Sequence, residues 1–124
     1  MADAVNHPTH YNTHPVCEAI DVCEWLSFNL GNAVKYLWRA GQKDDRNQDL
    51  QKALWYLRRE QLAFTTLRVP SAVKQLMRII SENEEGDQLL RVVMQHLYLM
   101  ADLDRSDTGE ALTQVILIVK GVVH

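Results

Sequence analysis

Two groups of side chains near the middle of the sequence carry chemistry at regular spacing. The first is Asn32, Lys35, Tyr36 and Arg39; the second is Asp49, Lys52, Tyr56 and Arg59. On a helix, at 100° per residue, the first four fall within about 100° of one another and the second four within about 80°. Lys and Arg in such a stripe hold phosphate, tyrosine rings offer a surface to a base, and carboxylates hold sugar hydroxyls or a metal. Lys35 to Arg39 covers about 6 Å of helix axis and Asn32 to Arg39 about 10 Å, the scale of a phosphate plus a sugar. The plainer reading is a pair of solvated faces whose long stems cover apolar edges. Recurrence of residue type in two consecutive stripes brings the nucleotide reading level with it.

Other chemistry-bearing residues lie upstream. Glu18, Asp21 and Glu24, three apart, make an acidic edge beside the basic stripes. His7, His10, His14 and Cys17 have a spacing superficially like that of zinc ligands. His10 and Tyr11 are better read as an arm that folds back onto the cleft or pins the N-terminus. His96, within the apolar run "VVMQHLYLM", reads as a packed helix histidine. The two cysteines, Cys17 and Cys23, read as reduced residues of a cytosolic protein and not as a disulfide.

Charge narrows the classes. The net charge of −3 argues against a general nucleic-acid binder. Residues 1–34 contain four acids and no Lys or Arg, residues 35–68 eight Lys/Arg against four acids, and residues 69–124 five against eight. A basic centre between acidic ends suits a local anion site. No run of 18 apolar residues suggests a membrane span, and "MADAVNHPTHYN" lacks a secretory pattern. No G-x-x-x-x-G-K-[ST] phosphate loop is present.

The elements that must position these residues are helical. Ala19, Val22, Cys23 and Leu26 predict a first helix over 15–28, led by Pro15. A second runs from after Asn29 to Gly41, with Leu30, Ala33, Val34 and Leu37 as its core stripe. Asp45 and Gln48 form a capping box for a third, over 46–67, with Leu50, Ala53, Leu54, Leu57 and Phe64 inward. A fourth spans 71–82, a fifth continues to Leu103, and a sixth is capped by Asp107. The β-branched "QVILIVKGVV" is where a strand competes best with this reading. The expectation is an all-α, compact bundle of about five to six helices. Residues 1–68 form the site module; residues 69–124 belong to the same compact domain and present an oligomer surface through Leu89–Leu103 and Leu112–Val122.

Four segments, "NHPTHY", "CEAIDV", "GNAVKYLWRAGQK" and "DLQKALWYL", resemble a small phage and prophage family of unknown function. Its best-assigned member is a coliphage nucleoside-monophosphate kinase without a P-loop. The resemblance runs over about residues 6–60. It implies a bacteriophage protein acting on nucleotides in the cytoplasm of an infected or lysogenic host. The implied nucleotide-binding residues are His10, Tyr11, Asn32, Lys35, Tyr36, Arg39, Lys43, Asp49, Lys52 and Tyr56. The implied catalytic set is Asp21, Glu18, Lys35 and Arg39. A nucleoside triphosphate is the implied phosphate donor, with Mg²⁺ as a candidate companion and no metal ligands assigned. Two other functions fit the same residues. One is an accessory or anti-defence protein that binds a nucleotide or a host protein without chemistry. The other is a Mg²⁺-dependent all-α nucleotide pyrophosphohydrolase using Glu18, Asp21 and Asp49, although Lys52 stands where such enzymes place a further acid.

Overall fold

The computed structural model describes residues 16–40, 42, 45–63, 67–101 and 105–124. Among them are six helices and no strand: α1 (Ala19–Cys23), α2 (Phe28–Ala40), α3 (Arg46–Ala63), α4 (Ser71–Glu82), α5 (Gln88–Met100) and α6 (Arg105–Lys120). The protein is all-α, and "QVILIV" is helical throughout.

The first helix is shorter than its apolar spacing predicts. Instead of one element over 15–28, α1 ends at Cys23, where the Trp25 and Leu26 N–H groups turn back to the Val22 and Cys23 carbonyls, each at 3.1 Å. Ser27 then starts a new helix, its hydroxyl accepting the Leu30 N–H at 3.1 Å. A serine in that position satisfies one of the unpaired N–H groups of a helix start, which makes Ser27 the cap of α2. At the head of α1, the Asp21 carboxylate accepts the Glu18 N–H at 2.9 Å, the backward half of a capping box.

The other ends follow their caps. Asp45 accepts the Gln48 N–H at 3.0 Å and opens α3 as expected. The last described helical residue of α3 is Ala63, and Leu67 is buried again beyond it. Asp87 accepts the Leu90 N–H at 3.1 Å and opens α5. α6 begins at Arg105, so Asp107 lies within its first turn and not ahead of it. Gly41, Phe64 and Leu103, three of the expected end and core positions, lie outside the described residues.

One core joins both halves of the chain. α2 and α3 form the most extensive helix pair, α4 packs on α5, and α6 closes against α3 and α5. Leu37, Trp38, Leu57, Met77, Met94 and Leu97 are the largest side chains at its centre. Polar ties cross between the halves: Gln61 donates to Thr113 at 2.9 Å, and the backbone of His124 exchanges two bonds with the Asn47 amide, at 2.6 and 3.0 Å. Arg46 reaches both the Ala40 carbonyl and the Asp87 carboxylate, linking the ends of α2, α3 and α5. Much of the apolar stripes of α5 and α6 that suggested an oligomer surface is buried inside the protomer. Leu89, Leu90, Val93, Leu97, Leu112 and Val119 are buried in its own core. Leu99 and Leu117 are the large apolar side chains of those helices left half-exposed.

Gly31 shows how tightly α1 meets α2. A Cβ there would stand 2.9 Å from the Cys23 carbonyl oxygen, backbone that has nowhere to yield. Gly109, in α6, has nothing within 4 Å of the same position. Overpacking costs about 1–3 kcal/mol, whereas replacing an unconstrained helical glycine by alanine gains about 1 kcal/mol. Gly31→Ala should therefore lower the urea midpoint while Gly109→Ala raises it. Equal shifts of the same sign in chemical denaturation would contradict this packing.

Candidate functional site

The α2–α3 pair is antiparallel and in a fixed register. Ser27 on α2's cap donates to the Glu60 carboxylate at 2.6 Å, and at the other end Arg39 Nε lies 3.6 Å from Asp49 Oδ2. Between them the Lys52 ammonium lies over the Tyr36 ring, 5.4 Å from its centroid. Each step forward along α2 is matched by an equal step back along α3, so both polar stripes reach the same hairpin face. Glu60 and Asp49 are only 4% and 3% exposed, so both carboxylates depend on these partners.

An aromatic row fills that face. The Phe28 and Tyr56 rings meet edge-on at 6.1 Å, and Tyr56 stacks on Tyr36 at 6.0 Å with 14° between the planes. Trp55 meets Tyr56 edge-on at 5.0 Å, and Arg59 lies over Trp55 at 5.1 Å. The Lys35 ammonium stands 4.6 Å from the Tyr36 centroid. Ring pairs of this kind contribute about 0.5–1.5 kcal/mol each, and exposed cation–π contacts about 0.5–1 kcal/mol. Among the described residues, neither Lys35 nor Lys52 has a carboxylate partner.

The structure therefore brings Lys35, Tyr36, Lys52 and Tyr56 together, as the spacing predicts. Arg39 and Asp49 are also on this face, but each is engaged with the other, and the Asp49 carboxylate is held beneath the surface. Asn32 turns its amide back onto its own helix, donating to the Phe28 carbonyl at 2.8 Å. Asp21 is exposed but occupied in capping α1, and Glu18 is half-buried at the same helix start. His10, Tyr11 and Lys43 lie outside the described residues, as do His7 and His14 of the histidine pattern. Among the described residues no three His, Cys, Asp or Glu side chains converge on a point that could hold a metal ion, so Glu18, Asp21 and Asp49 do not assemble one.

Four residues of this face escaped the sequence reading. Ser27 was hidden inside a helix drawn too long. Glu60 follows Leu57 by three on an apolar stripe, and a lone acid on such a stripe signals a buried partner. Phe28 precedes Lys35 by seven and Trp55 precedes Arg59 by four, spacings that share a helix face. Neither stands on the apolar stripe of its helix, and Phe28 is 76% exposed and Trp55 is 55% exposed.

Close to this face are two free thiols. Burial pushes Cys17 up to about 12, with Asp21 and then Glu18 adding to the effect. Burial also pushes Cys23 up to about 12, opposed by Lys35 and reinforced by Cys17. Both are protonated at neutral pH, which suits packing and not nucleophilic chemistry.

The model of a family described as a protein of unknown function (DUF3310) matches residues 5–58, which takes in α1, α2 and most of α3. No curated protein and no solved structure matches the chain. The matched segment contains the whole aromatic row and both lysines, and ends one residue short of Arg59.

Two outcomes follow from this geometry. Arg39→Ala strips a buried carboxylate of its counter-ion; breaking a buried pair costs about 3–5 kcal/mol, and Arg39's partial exposure puts this one near 3 kcal/mol. Arg39→Ala with Asp49→Leu should recover much of that loss in a double-mutant cycle followed by urea denaturation; additive losses would mean the pair is not coupled. At pH 8, thiols with a pKa near 12 should be alkylated by iodoacetamide about a thousandfold more slowly in the folded protein than in urea. The folded rate should rise about tenfold per pH unit through pH 10, and a rise of less than about twofold between pH 9 and pH 10 would show unshifted thiols.

Proposed function

We propose that the α2–α3 face binds a nucleotide, with its phosphates between Lys35 and Lys52. One observation carries this reading. Two ammonium groups converge on a single tyrosine ring, at most about 10 Å apart when the two distances are laid end to end, and among the described residues neither is paired with a carboxylate. Like charges gathered in this way repel each other, and an anion placed between them relieves the repulsion and gains two charge-assisted hydrogen bonds. The aromatic row supplies the apolar component that distinguishes a nucleotide from a bare phosphate.

The chemistry proposed for this site is phosphoryl transfer from a nucleoside triphosphate to a monophosphate, in a bacteriophage protein acting in its host. That step rests on the family resemblance carried by "NHPTHY" and "GNAVKYLWRAGQK". In it Lys35 and Lys52 neutralise the transferring group, with Arg39 beside them once its pairing with Asp49 loosens. Asp21 and Glu18 orient the acceptor or a Mg²⁺ ion brought by the triphosphate. Non-catalytic binding is the second reading, with a nucleotide or a host protein as ligand. It is favoured by the occupation of Arg39 and Asp21 in structural contacts, which leaves Lys35 and Lys52, among the described residues, as cations of this face without acidic partners.

Calorimetry with nucleoside mono- and triphosphates, with and without Mg²⁺, tests the binding. Lys35→Ala and Lys52→Ala should each weaken it by about 1.5–3 kcal/mol, ten- to hundredfold in Kd, with circular dichroism unchanged. Unaltered affinity in both variants would refute the site. Chromatography of nucleoside triphosphate and monophosphate pairs then separates the readings: a new diphosphate supports transfer, and binding without product supports the accessory role.

A further inference from the structure

Resting on that nucleotide reading, the structure points to Phe28 and Trp55 as the platform for the base; we infer that the ligand lies along α2, base at Phe28 and phosphates at Lys35 and Lys52. The tyrosines are poorly placed for the base. Tyr36 has Tyr56 stacked upon it and two ammonium groups over it, while Tyr56 is bracketed by Tyr36, Phe28 and Trp55. Both are half-buried against the core. Their rings are committed to one another, and to reach one a base would have to displace a neighbour.

Phe28 has the opposite character, and Trp55 shares it apart from the Arg59 guanidinium over its ring. They end the same aromatic row, are 76% and 55% exposed, and each touches Tyr56 by its edge and so keeps ring surface in solvent. Large aromatic surface in water is unfavourable, and two such rings meeting one half-buried tyrosine offer an apolar platform. The span also fits. Phe28 and Lys35 lie seven residues apart on one face of α2, about 10 Å along the axis, which is the reach from a base across its sugar to a second phosphate. Lys52 approaches the same end from α3, and Arg59 lies over Trp55 at the base end. Charge and apolar surface thus grade along one line, as they do along a nucleotide.

The ligand class follows. Phe28 and Trp55 make ring-to-ring and cation-to-ring contacts, so the base is held by stacking and not read through its edge. Stacking favours the larger purine surface but does not separate one purine from another. The site would take purine nucleoside di- or triphosphates without choosing between adenine and guanine.

Calorimetry on the full chain with GTP, ATP, UTP and inorganic tripolyphosphate tests this. GTP and ATP should bind alike and more tightly than UTP, and all three more tightly than tripolyphosphate. Phe28→Ala should lower GTP affinity about tenfold, and Trp55→Ala several-fold, both leaving tripolyphosphate affinity unchanged, whereas Lys35→Ala weakens both ligands. Since both aromatic rings are exposed, these variants should keep the wild-type circular dichroism spectrum, with melting lowered only by the loss of their ring contacts. If GTP binds in a Lys35-dependent way but both aromatic variants bind it like wild type, the platform is wrong and the phosphate site stands. If Lys35→Ala leaves both ligands unaffected, or neither binds, the phosphate site fails and the platform with it.

Discussion

Everything on the α2–α3 face depends on the register between the two helices, and that register is held by two polar ties at opposite ends of one hairpin. Ser27 to Glu60 fixes one end and Arg39 to Asp49 the other. Apolar stripes alone hold helices side by side but tolerate sliding by a turn, because Leu, Ala and Val contacts are short-ranged and lack direction. A buried carboxylate does not tolerate it. Sliding by one turn would leave Glu60 and Asp49 without partners in a site that excludes water, an outcome several kcal/mol worse than the paired one. The ties thus act as pins, and the rings and lysines between them inherit their alignment.

The same economy links the short first helix to the site. Ser27 both caps α2, through the Leu30 N–H, and donates to Glu60. The turn that ends α1 is therefore also the anchor of the hairpin. Gly31 then lets α1 press its Cys23 carbonyl against α2, closer than any side chain would permit. Since the Phe28 end of the aromatic row lies beside this junction, its position depends on packing that one methyl group would disturb. α4 to α6 contribute no residue of the row. Their part is to bury the other sides of α2 and α3, with Met77, Met94 and Leu97 filling the space beneath.

Charge on this face divides into two kinds. Arg39 and Asp49 neutralise each other and stabilise the fold, while Lys35 and Lys52 have an aromatic ring in place of a carboxylate. The distinction matters because side chains of the same sign and spacing are not equivalent donors to a ligand. An arginine drawn from a buried acid leaves that acid exposed to a low dielectric, whereas a lysine lifted from a tyrosine gives up only a weak contact.

What the sequence by itself determined was the helical character, most of the helix limits and the convergence of the two stripes. Caps at Asp45 and Asp87, and the periodic apolar positions from Leu30 to Leu57, are local signals that act within a turn or two of the chain. Spacing by three and four residues also placed Lys35, Tyr36, Lys52 and Tyr56 on faces able to meet. Only the tertiary structure decided which of those side chains are committed to one another. Whether a carboxylate is buried depends on what crosses over it, as Glu60 and Asp49 show, and no local pattern records that. Phe28 and Trp55 stand off the apolar stripes of their helices, and that they meet the same tyrosine while staying exposed shows only once α2 and α3 are packed. For α5 and α6, amphipathic spacing marks faces that must be covered, and only the assembled bundle shows which of their residues the protomer's own core takes in.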